Sequence, residues 1–467
     1  MITKIEIDGF KTFRHFHIEF SPFTVIAGAN ASGKSNLFDA LKLLGRITET
    51  DLRTAFSEQR GESNELFTQF GEECLAEVMT FTVELLLNQK IKDNWGGEAK
   101  LKYTRLRYKI SIGRRKGENG IEDLYINHEH LETIKHDEDS WVKKHIPKNK
   151  IEFWRPKVPA GRRTTPYIET KESHAIIIRQ DDKGGNKKEY SIAAGITQSI
   201  LSGVNSVDFK HAFAVKEELR NWKFLQLNPA ALREPTRQDI GMRDTITQSG
   251  ENLAAALYRI KINNQYALRN ISRKLNNLLP NLIEVDVIND KANKQFIIKV
   301  KSEDGRVYSS RVLSEGTLRL LALCIFQYDD LHNGLLCFEE PENGIHPARI
   351  KEMTILLENL SIDFNDTDMP LRQVVVNTHS PILVSEVFQI KNKKNVTVWL
   401  SQLVTQIDLI GNKRMKFHIS KLLPVDFGNQ YSFDFSDVEK KFTLAEVDKY
   451  LKSADFEKIK TNLLKNE

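Results

Sequence analysis

The chain has 467 residues, 40% of them hydrophobic and 28% charged, which excludes collagen-like, disordered and disulfide-scaffold classes and amounts to about three domains' worth of material. No apolar run reaches the roughly 18 residues a membrane helix needs, the charged, alternating N-terminus is unlike a signal peptide, and three cysteines (Cys74, Cys324, Cys337) in apolar surroundings read as buried thiols of a reducing cytosol. The net charge of +5 is too small to imply nucleic acid by itself, but residues 101–190 hold 21 Lys/Arg against 14 Asp/Glu and leave the rest slightly acidic.

Ile2, Ile5 and Ile7 begin a strand, His17–Phe20 a second, and Thr24–Ala27 a short buried one. A Gly/Asn/Ser loop leads into a helix over about 35–44, with Leu37, Ala40, Leu41 and Leu44 on one face. Residues 47–75 read as loop and short helix. Alternating segments at 77–87, 101–112, 121–126, 151–154 and 175–179, divided by turn clusters, predict a β-rich insertion with a basic surface. Residues 207–227 look helical. A longer helix is predicted over 251–279, where Leu253, Leu257, Ile260, Leu268, Ile271, Leu275 and Leu279 recur in steps of 3 and 4, polar Asn264 fills one slot, and Pro280 ends the run. Strands return at 283–288, 295–300 and 307–312. From 313 to 390 helix and continuously apolar strand alternate, as in a parallel sheet, and the tail from about 436 reads as amphipathic helices.

Gly28-Ala29-Asn30-Ala31-Ser32-Gly33-Lys34-Ser35 fits the G-x-x-x-x-G-K-[ST] phosphate loop and stands between a buried strand and a helix. Glycines let consecutive N–H groups converge on phosphate oxygens, and the helix adds its positive end. Lys34 is expected to reach the β- and γ-phosphates and Ser35 to ligate Mg²⁺, with Asn36 completing the loop. A metal-holding acid belongs on a neighbouring strand. Leu335-Leu-Cys-Phe-Glu339-Glu340 supplies four apolar residues and then two carboxylates, Glu339 for the metal and Glu340 to polarise the attacking water, although a solvated strand end has the same look. His379 follows the next buried strand, where it can bond the γ-phosphate. In Leu313-Ser314-Glu315-Gly316-Thr317, Ser314 is an N-cap candidate; the functional alternative is a helix end that faces the phosphate of a second chain.

These blocks, in this order, resemble the ABC-class ATPase heads of SMC, RecF and RecN type, with LSEGT similar to the LSGGQ signature. FEEPENGIHP, NTHSPILVSE, GENLAAALYRI and LRNWKFLQLNPAALREP narrow the resemblance to the standalone bacterial AAA_21 ATPases, relatives of which serve phage-defence systems of the Septu, PARIS and retron kinds. The likeness covers about 1–80 and 205–390. It implies an α/β P-loop head with a mixed β-sheet, a helical subdomain and a basic β-rich insertion. It also implies ATP and Mg²⁺, and a head-to-head dimer in which one copy's Ser314–Thr317 caps the other's nucleotide. Glu339 stands where many relatives of the wider class have Asp, and His346 where transporters of the class have an Asp. The glutamine of the Q-loop is not assignable, with Gln69 and Gln180 as candidates; Lys11 or Arg14 is the candidate basic residue on the adenine side. No heptad pattern persists between Lys34 and Leu313, so no long coiled-coil arm is expected.

The domain expectation is an N-lobe at 1–90, the basic insertion at 91–200, a helical and strand subdomain at 201–300, a C-lobe at 301–400 and a partner-docking tail at 401–467. Four functions compete, one of them a binding scaffold that holds ATP without turnover, which the presence of both Lys34 and Glu340 gives no reason to prefer. The first is a cytoplasmic ATP-dependent switch that controls a separate effector, such as a nuclease, in antiviral defence. The second is a DNA-repair or tethering ATPase, with Arg114, Arg115, Lys116, Lys143, Lys144, Arg162 and Arg163 as candidate nucleic-acid contacts; interspersed acids make a solvated face the plainer alternative. The third, nuclease activity in this chain, lacks a metal motif: Asp434 and Asp437 have the wrong spacing, and Asp366 with Asp368 lies upstream in a loop.

Overall fold

The computed structural model describes residues 1–425 apart from 72–73, 117–121, 159–164, 173–174, 182–186, 192–194, 240–243, 391–394 and 411–412. It is a mixed α/β fold built on two large sheets. The six-stranded sheet runs in the order Lys223–Leu225, Gly334–Glu339, Arg372–Thr378, Phe23–Ala27, Val396–Ile410, Lys413–Pro424, parallel throughout except for the closing hairpin. Its strands are apolar on both sides because both faces are covered. Ile26, Leu335, Cys337, Val375 and Trp399 enter one core, and their neighbours Val25, Ala27, Leu336, Phe338, Val374, Val376, Val398 and Leu400 enter the other.

The first core is closed by helices Lys34–Ile47 and Lys210–Arg220 and by an antiparallel eight-stranded sheet. That sheet joins Phe16–Glu19, Ile2–Asp8 and Val78–Leu86 to Arg105–Lys116, Glu122–Thr133, Ile168–Lys171, Ala175–Arg179 and Lys187–Ser191. The insertion is therefore β-rich, but it continues the N-terminal sheet: the expected boundary at residue 90 falls within one hydrogen-bonded layer. The second core packs helices Leu253–Asn263, Gln265–Leu278, Glu315–Gln327, Ile350–Leu360 and Pro381–Phe388, together with a small sheet of 236–237, 282–290, 295–302 and 307–309.

Four expectations change, the first being the helix over 207–227, which ends at Arg220 and gives way to the strand Lys223–Leu225. The helix predicted over 251–279 is two helices, because Asn264 leaves helical geometry (φ −153°) and its side chain caps the second by accepting from the N–H groups of Tyr266 and Ala267. Residues 151–154 form a helical turn rather than a strand, its Trp154 buried against Phe364. Residues 401–424 belong to the core sheet, not to a tail; the tail helices expected from about 436, with Asp434 and Asp437, lie outside the described residues. Cys324 and Cys337 are buried and Cys74 half-buried, all as free thiols. Among the described residues no helix is long and apolar enough to cross a membrane.

Candidate nucleotide site

The parallel strands end on one edge at nearly one level. Thr378 and Leu400 both pair with Ala27, Glu339 pairs with Asn377, and Leu225 pairs with Phe338. The loops that begin at Gly28, Gln226, Glu340 and His379 therefore leave the sheet together, beside the stretch of strand Val396–Ile410 beyond Leu400, at the edge where open α/β sheets bind ligands.

Ala31 (φ 63°) and Gly33 (φ 91°) are left-handed, which curls the loop ahead of helix Lys34–Ile47. A Cβ on Gly33 would overlap the Ser420 hydroxyl, so only glycine fits there. Lys34 is 6% exposed, and its ammonium donates to the carbonyls of Gly28 (2.8 Å) and Ala29 (2.8 Å). Burial lowers its pKa, while the charges of Glu340 and Glu342 act in the opposite sense. Asn30, Ala31, Gly33, Lys34, Ser35 and Asn36 line a cavity of about 570 Å³ that also touches Glu340, Asn377, Lys11 and Arg60.

Glu340 follows its strand in a left-handed conformation (φ 45°), and its backbone N–H donates to Asn377 O at 2.8 Å. Its carboxylate is then held by two groups: His379 Nδ1 at 2.9 Å from Oε1, and Asn343 Nδ2 donating to Oε2 at 2.8 Å. An ionised carboxylate only accepts, so Nδ1 carries the proton of this contact. Behind it the Thr378 hydroxyl donates to buried Glu342, whose carboxyl is pushed up by burial.

Glu339 lines a neighbouring cavity with Asp39, Arg60, Gln226 and Gln248. Burial raises its pKa; the Arg60 charge opposes this, and the charges of Asp39 and Glu340 reinforce it. Among the described residues no group of three or more His, Cys, Asp or Glu is arranged to hold a metal alone. The crowded carboxylates and the unpartnered buried oxygen of Asn377 facing the loop suit a cation–phosphate pair.

Sequence reading missed two residues. Gln226 follows the three-residue strand 223–225, too short to stand out from its helical surroundings, and lines cavities with both Glu339 and Glu340, which neither Gln69 nor Gln180 does. Arg60 pairs with Asp39 at 2.9 Å and lines both the phosphate-loop and the Glu339 cavities; no pattern marks it in its loop. Of the two adenine-side candidates, Lys11 lines the phosphate-loop cavity and pairs with Asp39 at 2.7 Å, whereas Arg14 pairs with Asp408 and lies over Phe70 and Phe417.

The signature residues stand apart. Ser314 caps helix Glu315–Gln327, accepting from Thr317 N–H, and is exposed. Glu315 pairs with Arg319 at 2.9 Å, and Gly316 packs so closely on Gly344 that a Cβ would sit 2.9 Å from its carbonyl oxygen. None of Ser314, Glu315, Gly316 and Thr317 lines the phosphate-loop cavity. His346 caps the turn Pro347–Arg349.

The basic candidates do not form one patch. Arg114, Arg115 and Lys116 end strand Arg105–Lys116, where Arg114 pairs with Glu122 and Arg115 covers Tyr125. Lys143 and Lys144 lie on helix Ser140–His145, whose cap Asp139 binds Arg105 at the other end of that strand, roughly 30 Å away at ~3.3 Å per residue. Arg162 and Arg163 lie outside the described residues. Asp366 and Asp368 are exposed loop residues.

Residues 23–385 match the AAA_21 family model, described as "AAA domain, putative AbiEii toxin, Type IV TA system". Among curated proteins none matches the chain. Similar solved structures include an SMC head bound to the C-winged helix domain of ScpA (14% identity, 91% of this chain and 97% of that one, TM-score 0.49). The SMC head domain from Thermotoga maritima (14%, 91% and 99%, TM-score 0.36) and the Smc head with a coiled coil and joint from Pyrococcus yayanosii (12%, 97% and 99%, TM-score 0.43) are others.

Proposed function

The chain belongs to the AAA_21 family of ATPase domains, and on that premise we propose that it hydrolyses ATP with Mg²⁺ and that two copies close head to head on the nucleotide. The observation that carries the reading is the meeting of the phosphate loop and Glu340 at one cavity, with His379 bonded to the Glu340 carboxylate. The loop's N–H groups and Lys34 grip the phosphates. Glu340 takes the proton of the attacking water, and His379 fixes the carboxylate's orientation. Gln226 positions the water from the neighbouring strand end, and Arg60 adds positive charge where the phosphate oxygens lie. Ser35 and Glu339 would hold Mg²⁺, which neutralises phosphate charge.

Ser314 is an exposed helix cap outside the lining of its own chain's phosphate-loop cavity, so its N-terminal dipole is available to a second copy. The family's description names a toxin of a type IV toxin–antitoxin system. For this chain we propose a cytoplasmic sensor or regulator of a separate effector in antiviral defence, a role that description does not itself state. Light scattering with ATP, Mg²⁺ and the Glu340→Gln protein tests the pairing. A dimer is expected, and Ser314→Arg should abolish it while each monomer still binds ATP. A Glu340→Gln protein that stays monomeric at saturating ATP would overturn the head-to-head reading.

A further inference from the structure

The hairpin Val396–Ile410/Lys413–Pro424 runs past the end of the strand beside it. Leu400 pairs with Ala27, the last residue of the phosphate-loop strand, yet the first arm continues for ten more residues. Where it leaves the sheet it is bonded to the loop. The hydroxyls of Ser401 (2.9 Å) and Ser420 (3.2 Å) both reach the Ser32 carbonyl, and Ser420 N–H donates to Thr12 O at 2.9 Å. The Ser420 hydroxyl also meets that of Thr12 at 2.7 Å, which accepts from Asn36 Nδ2 at 2.9 Å. The hairpin is thus fixed relative to the phosphates' seat.

Beyond that anchor the side chains alternate. Leu403 (43% exposed) and His418 turn outward and line the phosphate-loop cavity together with Lys11 and Thr12. His418 Nδ1 lies 3.3 Å from Thr405 Oγ1, directly across the ladder, which orients the ring. Glu340 and Asn377, bonded to each other, line the cavity from the strands on one flank of the phosphate-loop strand and the hairpin lines it from the other, so in the nucleotide-site reading the γ-phosphate belongs beside Glu340. The nucleoside must then leave on the side of Asn36 and Thr12, where the hairpin supplies an apolar side chain and a flat ring.

We propose that the base of the bound nucleotide lies against Leu403 and His418, so that this hairpin, and not only the phosphate loop, sets nucleotide affinity. The proposal rests on the nucleotide-site reading above and assigns the other end of the same ligand. An apolar contact plus ring stacking holds a base through its flat face and is worth about tenfold or more in affinity.

The test is calorimetric binding of ATP, ADP and inorganic tripolyphosphate to the full chain and to Leu403→Ala/His418→Ala. Both positions are exposed, so the fold should tolerate the change, and His418→Phe, which keeps a ring, serves as a second variant. The expected result is ATP and ADP weakened about tenfold or more in the double variant, tripolyphosphate within about twofold of the parent, and ATP affinity largely retained by His418→Phe. Unchanged ATP affinity in the double variant overturns the proposal while leaving the nucleotide site standing. Equal weakening of tripolyphosphate also overturns it, since the hairpin would then act only through the loop. A parent chain that binds none of the three ligands removes the nucleotide reading itself.

Discussion

His379 Nδ1 stands 2.9 Å from Glu340 Oε1 across 39 positions of chain, and Glu340 lines the phosphate-loop cavity. The pair exists because strands Gly334–Glu339 and Arg372–Thr378 are parallel neighbours with Glu339 opposite Asn377, so Glu340 and His379 leave the sheet within one position of each other. An imidazole N–H that holds one carboxylate oxygen leaves the carboxylate's remaining acceptor capacity for a water proton.

Glu340→Gln keeps the shape of that side chain and removes its basicity. Phosphate release should fall at least about 100-fold, with ATP affinity within a few-fold of the parent. A steady-state phosphate assay beside a binding isotherm separates the two quantities, and undiminished turnover would remove Glu340 from the chemistry.

Lys34→Ala deletes an ammonium whose two protein acceptors are carbonyls of its own loop. Binding of nucleotide should weaken by about tenfold or more, because the charge-assisted bonds to phosphate are lost. Circular dichroism should be unchanged. Parent-like affinity would count against the loop as the phosphate seat.

How much of this was legible depends on whether a residue's role is local. Gly28–Ser35 is contiguous, Glu339 and Glu340 end an apolar run and His379 stands three positions after another, so the expectation for each needed only adjacent residues. Gln226 ends a strand that exists only because Gly334–Glu339 pairs with it. Arg60 acquires its place through Asp39, a partner 21 positions away. Ser420 reaches Ser32 across 388 positions, a relationship no spacing rule can express. Asn264 was visible as a polar interruption, but its capping hydrogen bonds, which divide the helix, depend on side-chain geometry.

Glu129 offers a pH signature outside the site. It is fully buried; its carboxylate accepts from the N–H groups of Ile200 and Leu201 and from the Tyr108 hydroxyl, yet burial dominates and pushes its pKa up from 4.5 to about 7. The folded chain therefore holds this proton more tightly than the unfolded one. The resulting stabilisation is complete below about pH 4.5 and is lost as pH rises through about 7, roughly 3 kcal/mol in all. The stability difference between the parent and Glu129→Gln, measured by denaturant titration, should shrink across that window. A flat difference would refute the assignment.

Arg105 is 1% exposed and binds Asp139 through two nitrogens (2.9 and 3.1 Å), the Thr3 hydroxyl and Glu84. Arg105→Ala strands buried carboxylates and should cost about 3–5 kcal/mol in urea denaturation. A loss below about 1 kcal/mol would mean that Arg155, 2.6 Å from Asp139, suffices alone.

The central position of strand Phe23–Ala27 has a consequence for synthesis. Both of its neighbours come late: the first begins 349 positions further on, and the second later still. At ~5–20 residues per second a ribosome needs roughly 20–70 s to deliver the nearer one. Throughout that interval an apolar segment has no native partner and is a template for pairing with other nascent chains. A truncated product ending before the hairpin would carry a complete phosphate loop and still lack the serines that hold it in place.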